Sequence, residues 1–207
     1  MKYIFLHGLG QSSSSWDKTI EALNCKTDVL CPNLADWLIN QVSSYQTLYQ
    51  ELEQYCHQFD EPICLCGLSL GGVLALEYAT KHMDKVHSLV LIGAQYRMPK
   101  HLLKIQNLFF RLMPNSMFSQ MGFQKSDFIS LCQSMIAIDL TDDLNKIKCP
   151  TLVLCGKKDK ANQAASIQLA KLIPNAKFKM ILDAGHEINV DQPIVLGKEI
   201  NPFFESN

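Results

Sequence analysis

The sequence is poor in arginine, in charge of one sign and in long apolar runs, and each shortage excludes a class of function. Its 207 residues carry 19 Lys and Arg against 20 Asp and Glu, a formal net charge of −1, with neither a basic run nor an acidic tail. Such a balance gives no support to binding of nucleic acid or of a membrane surface. No apolar stretch approaches the roughly 20 residues that a membrane span needs. We therefore expect neither a nucleic acid nor a membrane as partner.

The N-terminal residues and the positions of the cysteines indicate the cellular compartment in which we expect the protein. Residues 1–6 are too short an apolar run for the roughly 7–15-residue core of a signal peptide, and they read as a strand that begins the fold. Most of the eight cysteines lie in or beside apolar runs, as Cys64, Cys66 and Cys155 do, which favours reduced, buried thiols. The spacing Cys64-x-Cys66 is not the usual one for zinc. We expect a cytoplasmic protein without a metal or another cofactor.

Short apolar runs alternate with longer helical patterns along most of the chain, with no internal repeat. The apolar runs predict strands at 2–6, 28–31, 62–66, 86–92, 151–155 and 177–182. The helical patterns predict helices at 16–23, 45–59, 70–82, 162–172 and 193–204. This alternation favours one parallel sheet with right-handed crossovers and helices on both faces. We predict an α/β fold in a single domain over residues 1–207.

Residues 95–148, called segment 95–148 below, break this alternation because they show helical stretches and no strand pattern. Insertions of this kind over the carboxyl ends of strands usually act as lids. The large apolar side chains that we assign to a substrate pocket are Phe109, Met113, Met117, Met121 and Met135. The alternative is that these side chains simply pack onto the core, as much of any amphipathic helix does. Both interpretations can hold at once.

Residues 67–72, Gly67-Leu68-Ser69-Leu70-Gly71-Gly72, contain the pattern G-x-S-x-G between an apolar run and a helical one. A serine on a sharp turn from strand to helix exposes its hydroxyl at the top of a parallel sheet. The crowded backbone of such a turn requires glycine two residues before and two after the serine. Ser69 is therefore the predicted nucleophile, and it needs a base and an anion-stabilising pocket.

The base should be a histidine in a late loop, and His186 lies between the last predicted strand and the last predicted helix. Asp159, just past the strand at 151–155, is the predicted acid that holds the imidazole ring. The chain order Ser69, Asp159, His186 is the order expected for this kind of elbow. Asp142 and Asp143 are weaker choices for the acid, and Asp183 is too close to His186 in sequence. The other histidines, which we interpret as solvated side chains, are His57, His82, His87 and His101.

Two main-chain N–H groups are predicted to stabilise a developing oxyanion. The residue after the nucleophile supplies one, Leu70, and the loop after the first strand supplies the other, Leu9 in His7-Gly8-Leu9-Gly10. The glycines of this loop could instead bind phosphate. The third glycine of G-x-G-x-x-G is missing, however, because Ser13 stands in its place, and 67–72 lacks the G-K-[ST] ending of a P-loop.

Taken in order, these motifs resemble the α/β-hydrolase superfamily, and specifically its small cofactor-free esterase and lipase-like members. The resemblance covers nearly the whole chain and is carried by His7–Gly10 with Trp16, by 67–72, by 149–159 and by Ala184-Gly185-His186. It implies a triad of Ser69, Asp159 and His186, with Leu9 and Leu70 as oxyanion donors. The family's usual first two strands have no counterpart here. The resemblance therefore implies a reduced α/β-hydrolase fold with six parallel strands, helices on both faces and a short helical lid.

The chemistry that fits best is hydrolysis of carboxylic esters or thioesters of small to medium apolar acyl groups, through an acyl-serine intermediate. The same superfamily contains carbon–carbon bond hydrolases, lyases and amide hydrolases, which remain open as alternatives. A charged substrate favours arginines near the site, and Arg97 and Arg111 are the only arginines in the sequence. This scarcity argues mildly against dicarboxylates or phosphorylated substrates. A ligand sensor with slow turnover is a further alternative from a different class.

Overall fold

The described residues form one six-stranded sheet in which every pair of neighbouring strands is parallel. A computed structural model of the chain describes residues 1–98, 110, 112–120 and 124–206. The strands are β1 (Tyr3–Leu6), β2 (Val29–Leu30), β3 (Ile63–Leu68), β4 (Val86–Ile92), β5 (Thr151–Gly156) and β6 (Ala176–Ile181). They lie in the order β2-β1-β3-β4-β5-β6. The predicted six-stranded parallel sheet is confirmed.

Helices cover both faces of this sheet. They are α1 (Asp17–Glu21), α2 (Tyr45–His57), α3 (Leu70–Lys81), α4 (Asn115–Gln120), α5 (Lys125–Ser134), α6 (Gln163–Leu172), α7 (Ile188–Asp191) and α8 (Pro193–Glu205). The helix predicted at 16–23 is instead a 3₁₀ turn at Ser13–Trp16 followed by the short α1. None of the described helices is long and apolar enough to cross a membrane.

The two faces of the sheet carry separate apolar cores, because successive side chains of a strand point to opposite sides. In β1, Ile4 and Leu6 join the core beneath α2, α3 and α6, whereas Phe5 joins the core beneath α1 and α8. The ring of Phe5 packs edge-on against Trp16 at 5.1 Å between centroids. Burial on both faces explains why β3 and β5 read as continuous apolar runs, whereas the edge strand β6 alternates half-buried and exposed residues.

Segment 95–148 packs its described part onto the core that contains α2 and α3. Besides α4 and α5 it contains 3₁₀ turns at Met135–Ala137 and Thr141–Lys146. An isolated antiparallel bridge joins Arg97 to Asp139, so the helical pattern missed one β contact. Phe110, Phe118 and Phe128 form an edge-to-face aromatic cluster within this segment.

All eight cysteines are free thiols, five of them buried and three half-buried. No group of three or more metal-ligating side chains occurs in the part of the chain that the structure describes.

Candidate active site

Ser69 lies on a sharp turn between β3 and α3, with φ 53° and ψ −112°. Its main-chain N–H donates to the Ile92 carbonyl at 2.9 Å, and its own carbonyl accepts from Val73 at 3.0 Å. A positive φ is rare for a residue with a side chain and persists only where the surrounding structure enforces it. The strand and the helix thus hold Ser69 in a strained conformation, as the sequence pattern predicts.

The glycines on either side of Ser69 are required by close backbone approaches. A Cβ on Gly67 would lie 2.2 Å from the carbonyl oxygen of Gly71, and a Cβ on Gly71 would lie 2.2 Å from that of Leu6. No side chain fits at such distances, so β1, β3 and the start of α3 can pack this closely only with glycine at both positions.

Asp159 and His186 are brought together by the loops that follow β5 and β6. Asp159 Oδ2 lies 2.7 Å from His186 Nδ1. The two loops are joined by a main-chain hydrogen bond from Lys158 to Ala184 at 2.9 Å. The His186 loop is braced on its other side, where Gly185 N–H donates to the carboxylate of Asp191 at 2.6 Å.

The Asp159 side chain is only 5% exposed, yet its carboxyl is held ionised. Burial raises the pKa of this carboxyl, but hydrogen bonds from His186 and Asn162 outweigh burial, and the net shift of the pKa is downward. A carboxylate only accepts hydrogen bonds, so Nδ1 of His186 carries the hydrogen of the neutral ring. Nε2 is then left with a lone pair, which is the tautomer that a general base requires.

Asn162 completes this group of side chains, although no sequence motif singles it out. Its Nδ2 donates to both carboxylate oxygens of Asp159, at 2.9 Å each, and its Oδ1 accepts from Gln95 Nε2 at 2.7 Å. The one signal in the sequence is a polar side chain three residues after the predicted acid, in a turn where solvated polar residues are common.

The loop after β1 is braced by a buried histidine. His7 Nδ1 donates to the Gly8 carbonyl at 2.9 Å, and its Nε2 accepts from Leu34 N–H at 2.9 Å. Burial lowers the pKa of His7, so the ring is neutral and this single tautomer satisfies both contacts. Sequence reasoning identified His7 only as part of a motif, because the partner at Leu34 is 27 residues away.

The N–H groups of Leu9 and Leu70 stand at the ends of neighbouring strands. Leu70 is the first residue of α3, where N–H groups have no partner within the helix. Leu9 belongs to the turn after β1. In the described part of the chain neither N–H donates to a protein acceptor.

Ser69 and His186 face the same end of the sheet without a direct bond. Among the described residues, no hydrogen bond joins Ser69 Oγ to the His186 ring. Residues 92 and 93 at the end of β4 lie between them. Ser69 N–H donates to the carbonyl of Ile92, and a Cβ on the next residue, Gly93, would lie 3.1 Å from His186 Nδ1. Hydrogen bonds between such groups often form only when substrate is bound.

The remaining predicted residues are distributed as follows. Met135 is buried and Met113 half-buried, both against the core beneath segment 95–148; Phe109, Met121 and the side chain of Met117 lie outside the described residues. The weaker acid choices, Asp142 and Asp143, lie in an exposed or half-exposed 3₁₀ turn, and Asp183 is exposed. None of these three aspartates contacts His186 among the described contacts.

The other histidines lie apart from this group. His57 is exposed as expected. His82, expected to be solvated, is half-buried, stacks on Tyr78 and lies 2.8 Å from Glu53; its helix end packs against α2, which the sequence pattern did not reveal. His87 is half-buried, and His101 lies outside the described residues.

The parallel sheet and the sharp turn at Ser69 together are typical of one class of protein. A sequence profile of the alpha/beta hydrolase family matches residues 3–196. The chain belongs to the alpha/beta hydrolase family, and it is an enzyme of the hydrolase class. The resemblance drawn from the motifs is thereby confirmed.

Three similar proteins cover nearly the whole chain. A Bacillus subtilis (strain 168) protein, named as a 2-succinyl-6-hydroxy-2,4-cyclohexadiene-1-carboxylate synthase, is 23% identical over a 252-residue alignment covering 98% of this chain and 90% of the relative. Monoacylglycerol lipase ABHD6 of Homo sapiens is 21% identical, with 98% and 75% covered. The crystal structure of the enol-lactonase from Burkholderia xenovorans LB400 matches with TM-score 0.82 and 18% identity, covering 98% and 90%.

Proposed function

We propose that this protein is a serine hydrolase that cleaves carboxylic esters or thioesters of small to medium apolar acyl groups through an acyl-Ser69 intermediate. The observation that carries the proposal is the 2.7 Å pair of Asp159 and His186, at the sheet edge where Ser69 occupies its strained elbow. No cofactor is needed for this chemistry. The substrate is a small molecule, in keeping with the names of the relatives, among them a lipase and an enol-lactonase.

In the proposed reaction, His186 Nε2 takes the proton of Ser69 Oγ while the oxygen attacks the carbonyl carbon. The carbonyl oxygen becomes an oxyanion that accepts hydrogen bonds from the N–H groups of Leu9 and Leu70. His186 then gives its proton to the departing alcohol or thiol, and the C–O or C–S bond breaks. A water molecule, deprotonated in turn by His186, releases the acid and restores Ser69. Asp159 stabilises the imidazolium in both halves.

We further propose that segment 95–148 is a lid over this site and that its apolar side chains select the acyl group. Met113 and Met135 are the described members of the proposed pocket, with Phe109, Met117 and Met121 as its other members. Methionine suits such a role because its side chain is flexible and polarisable and adapts to irregular apolar ligands. Met135 belongs to the apolar core beneath this segment and Met113 packs against it, which favours uncharged acyl groups.

The test compares wild type, Ser69→Ala and the exposed control Ser130→Ala with p-nitrophenyl acetate, butyrate and octanoate. For a working triad, Ser69→Ala should lower kcat by roughly 10⁴–10⁶, whereas Ser130→Ala should leave it unchanged. A fluorophosphonate probe should label wild type and Ser130→Ala at Ser69 alone. Equal turnover by wild type and Ser69→Ala, with no label on Ser69, would refute the proposal, and a ligand that stabilises the protein without being consumed would then point to a sensor.

A lyase or carbon–carbon bond hydrolase is the second candidate, favoured by the Bacillus subtilis relative named as a carboxylate synthase. A carboxylated substrate would need a cation. Arg97, at the start of segment 95–148, has a side chain 67% exposed and lies 4.0 Å from Asp139. If Arg97→Ala abolishes turnover of a carboxylated substrate and leaves p-nitrophenyl butyrate unaffected, this second candidate replaces the first.

A further inference from the structure

We propose that Asn162, oriented by Gln95, is a positioning residue that locks the Asp159 carboxylate against His186. The inference rests on the proposed function, since it takes Asp159 and His186 as the acid and the base of the reaction. It assigns a role to two side chains that lie outside the three residues of the predicted triad.

Asp159 needs donors from the protein because its side chain is only 5% exposed. Buried carboxylates without partners are strongly destabilised. His186 supplies one hydrogen bond, and Asn162 Nδ2 supplies contacts of 2.9 Å to both oxygens. The amide spans the two oxygens, so rotation of the carboxylate about its terminal bond would break these contacts. Oδ2 is thereby kept 2.7 Å from Nδ1 of the ring.

Gln95 determines which end of the Asn162 amide faces the carboxylate. Gln95 Nε2 donates to Asn162 Oδ1 at 2.7 Å. With the oxygen engaged there, the NH₂ group must face Asp159. Asn162 Nδ2 also lies 3.1 Å from His186 Nδ1, but that nitrogen carries a hydrogen and accepts nothing. The Asn162 amide therefore donates to the carboxylate, where one N–H is shared between the two oxygens.

The position of Asn162 in the fold makes this use of its side chain informative. Asn162 is the N-cap residue of α6, where an asparagine side chain ordinarily accepts a hydrogen bond from the first turn and stabilises the helix by about 1 kcal/mol. Here the side chain makes no such capping bond. The Asn162 side chain instead bonds Asp159. Its replacement should therefore affect the position of the carboxylate and not the capping of α6.

The ionisable groups around the pair are few. Cys155 Sγ lies 3.9 Å from the main-chain oxygen of Asp159, and Asp191 bonds Gly185 N–H on the far side of the His186 loop. The charged side chains on the same turn, all exposed, are Lys157, Lys158 and Lys160. None of these groups can replace the amide, because none contacts the carboxylate oxygens in the described contacts.

The test uses Asn162→Ala, Gln95→Ala, the double variant, and Gln163→Ala as matched control. Gln163 is the next residue, and within the described parts of the chain its amide donates to the main-chain oxygens of Gly156 and Lys157 and not to Asp159. Asn162→Ala should lower kcat for p-nitrophenyl butyrate about 10- to 100-fold, as loss of comparable outer hydrogen bonds does elsewhere, with KM nearly unchanged. Gln95→Ala should lower kcat roughly fivefold, and Gln163→Ala less than twofold. Because Gln95 acts through Asn162, the double variant should be no slower than Asn162→Ala alone.

Two further readouts separate positioning from folding. Without Asn162 the carboxylate can rotate away from the ring and stabilises the imidazolium less, so the acidic limb of the kcat/KM profile should move to lower pH in Asn162→Ala. The low-field proton resonance of the His186 Nδ1–H should broaden or shift in the same variant. That spectrum is also recorded with Ser69→Ala as background, where it requires no turnover and tests the contact even if the proposed reaction is wrong.

An unchanged resonance and a kcat within twofold of wild type in Asn162→Ala would overturn the inference. So would a loss of kcat matched by a large fall in Tm with an unmoved pH profile, because that is the behaviour of a structural residue. Additive effects of the two single variants would refute the role given to Gln95. Asn162→Ser, which keeps one donor, should recover part of the lost kcat.

Discussion

Gly93 offers the sharpest test of how the described site is packed. It follows β4, has φ 55°, and its N–H donates to the Leu154 carbonyl at 2.9 Å. A Cβ at this position would lie 3.1 Å and 3.2 Å from Nδ1 and Cε1 of His186 and 3.3 Å from Oδ2 of Asp159. Gly93→Ala would therefore insert one methyl group directly behind the pair that the proposed reaction needs.

Two effects of Gly93→Ala can be given magnitudes. A left-handed φ costs an alanine about 1–2 kcal/mol, which for a chain of this size lowers Tm by roughly 2–8 °C. The contacts of 3.1–3.3 Å also require the ring or the carboxylate to yield by a few tenths of an ångström. Since a misplacement of 1 Å can lower a rate about 100-fold, we expect kcat to fall about 3- to 10-fold at a temperature where the variant is folded.

The assay is kcat with p-nitrophenyl butyrate at 20 °C, measured beside thermal unfolding. Gly197→Ala is the matched control, because its Cβ would lie 2.7 Å from that of Ala22 in the packing of α8 against α1, and none of the atoms nearest to it belongs to His186 or Asp159. It should alter Tm and leave kcat within about twofold. Wild-type kcat in Gly93→Ala, together with a lowered Tm, would refute the packing of His186 against position 93.

Three further predictions concern groups that brace the site. His7→Phe removes the two hydrogen bonds that the His7 side chain makes to the main chain of Gly8 and Leu34. It should lower both Tm and kcat, the latter about 10-fold; an unchanged kcat would contradict the proposed role of this loop as oxyanion donor. Gln11 and Asn189 bond each other through both ends of their amides at 3.2 Å, so Gln11→Ala and Asn189→Ala should be non-additive in urea unfolding, and additivity would contradict the coupling. The pKa of Asp159 is lowered in the folded state, so the stability it contributes is present above its unfolded pKa near 3.9 and lost as pH falls through the folded value. Below about pH 4 the free energy of unfolding should therefore fall less steeply with decreasing pH in Asp159→Asn than in wild type. An equally steep fall in both proteins would contradict this contribution of Asp159.

The fold could be read from the sequence because its signals are local. Most strands are short apolar runs bounded by turn residues. Helix α2 was predicted to begin at Tyr45, where it does begin, with Ser44 accepting a capping hydrogen bond from Thr47 N–H. Its end was predicted two residues too late, because helix ends depend on contacts as well as on periodicity. The helix predicted at 16–23 contains α1 but is longer than it at both ends, and Trp16 belongs to the preceding 3₁₀ turn, buried against Phe5.

The candidate site could be predicted only in part from the sequence, because the hydrogen bonds that hold its side chains join residues distant in sequence. Ser69 is set by a motif of neighbouring residues, and the contact of Asp159 with His186 followed from the order of strands and loops. The bond of Gln95 to Asn162 joins residues 67 positions apart, and no periodicity or motif encodes it. Polar side chains in loops look alike in sequence, and only the folded chain shows which of them face a carboxylate.

The register of the sheet explains how residues so far apart in sequence can meet. Parallel strands that are neighbours bring their carboxyl ends to one edge. The pairs nearest that edge are Leu6 with Gly67, Leu68 with Ile92, Ile92 with Leu154, and Gly156 with Ile181. Each predicted reacting group follows one of these ends within a few residues. Gln95, three residues after the end of β4, is hydrogen-bonded to Asn162 in the loop after β5. The sheet therefore positions Ser69, Asp159 and His186. The hydrogen bond from the Gln95 side chain to Asn162 links the start of segment 95–148 to Asp159 through the Asn162 amide. If segment 95–148 is the proposed lid, a change in it would alter acyl selection without displacing Ser69, and a change at position 95 would reach Asp159 through Asn162.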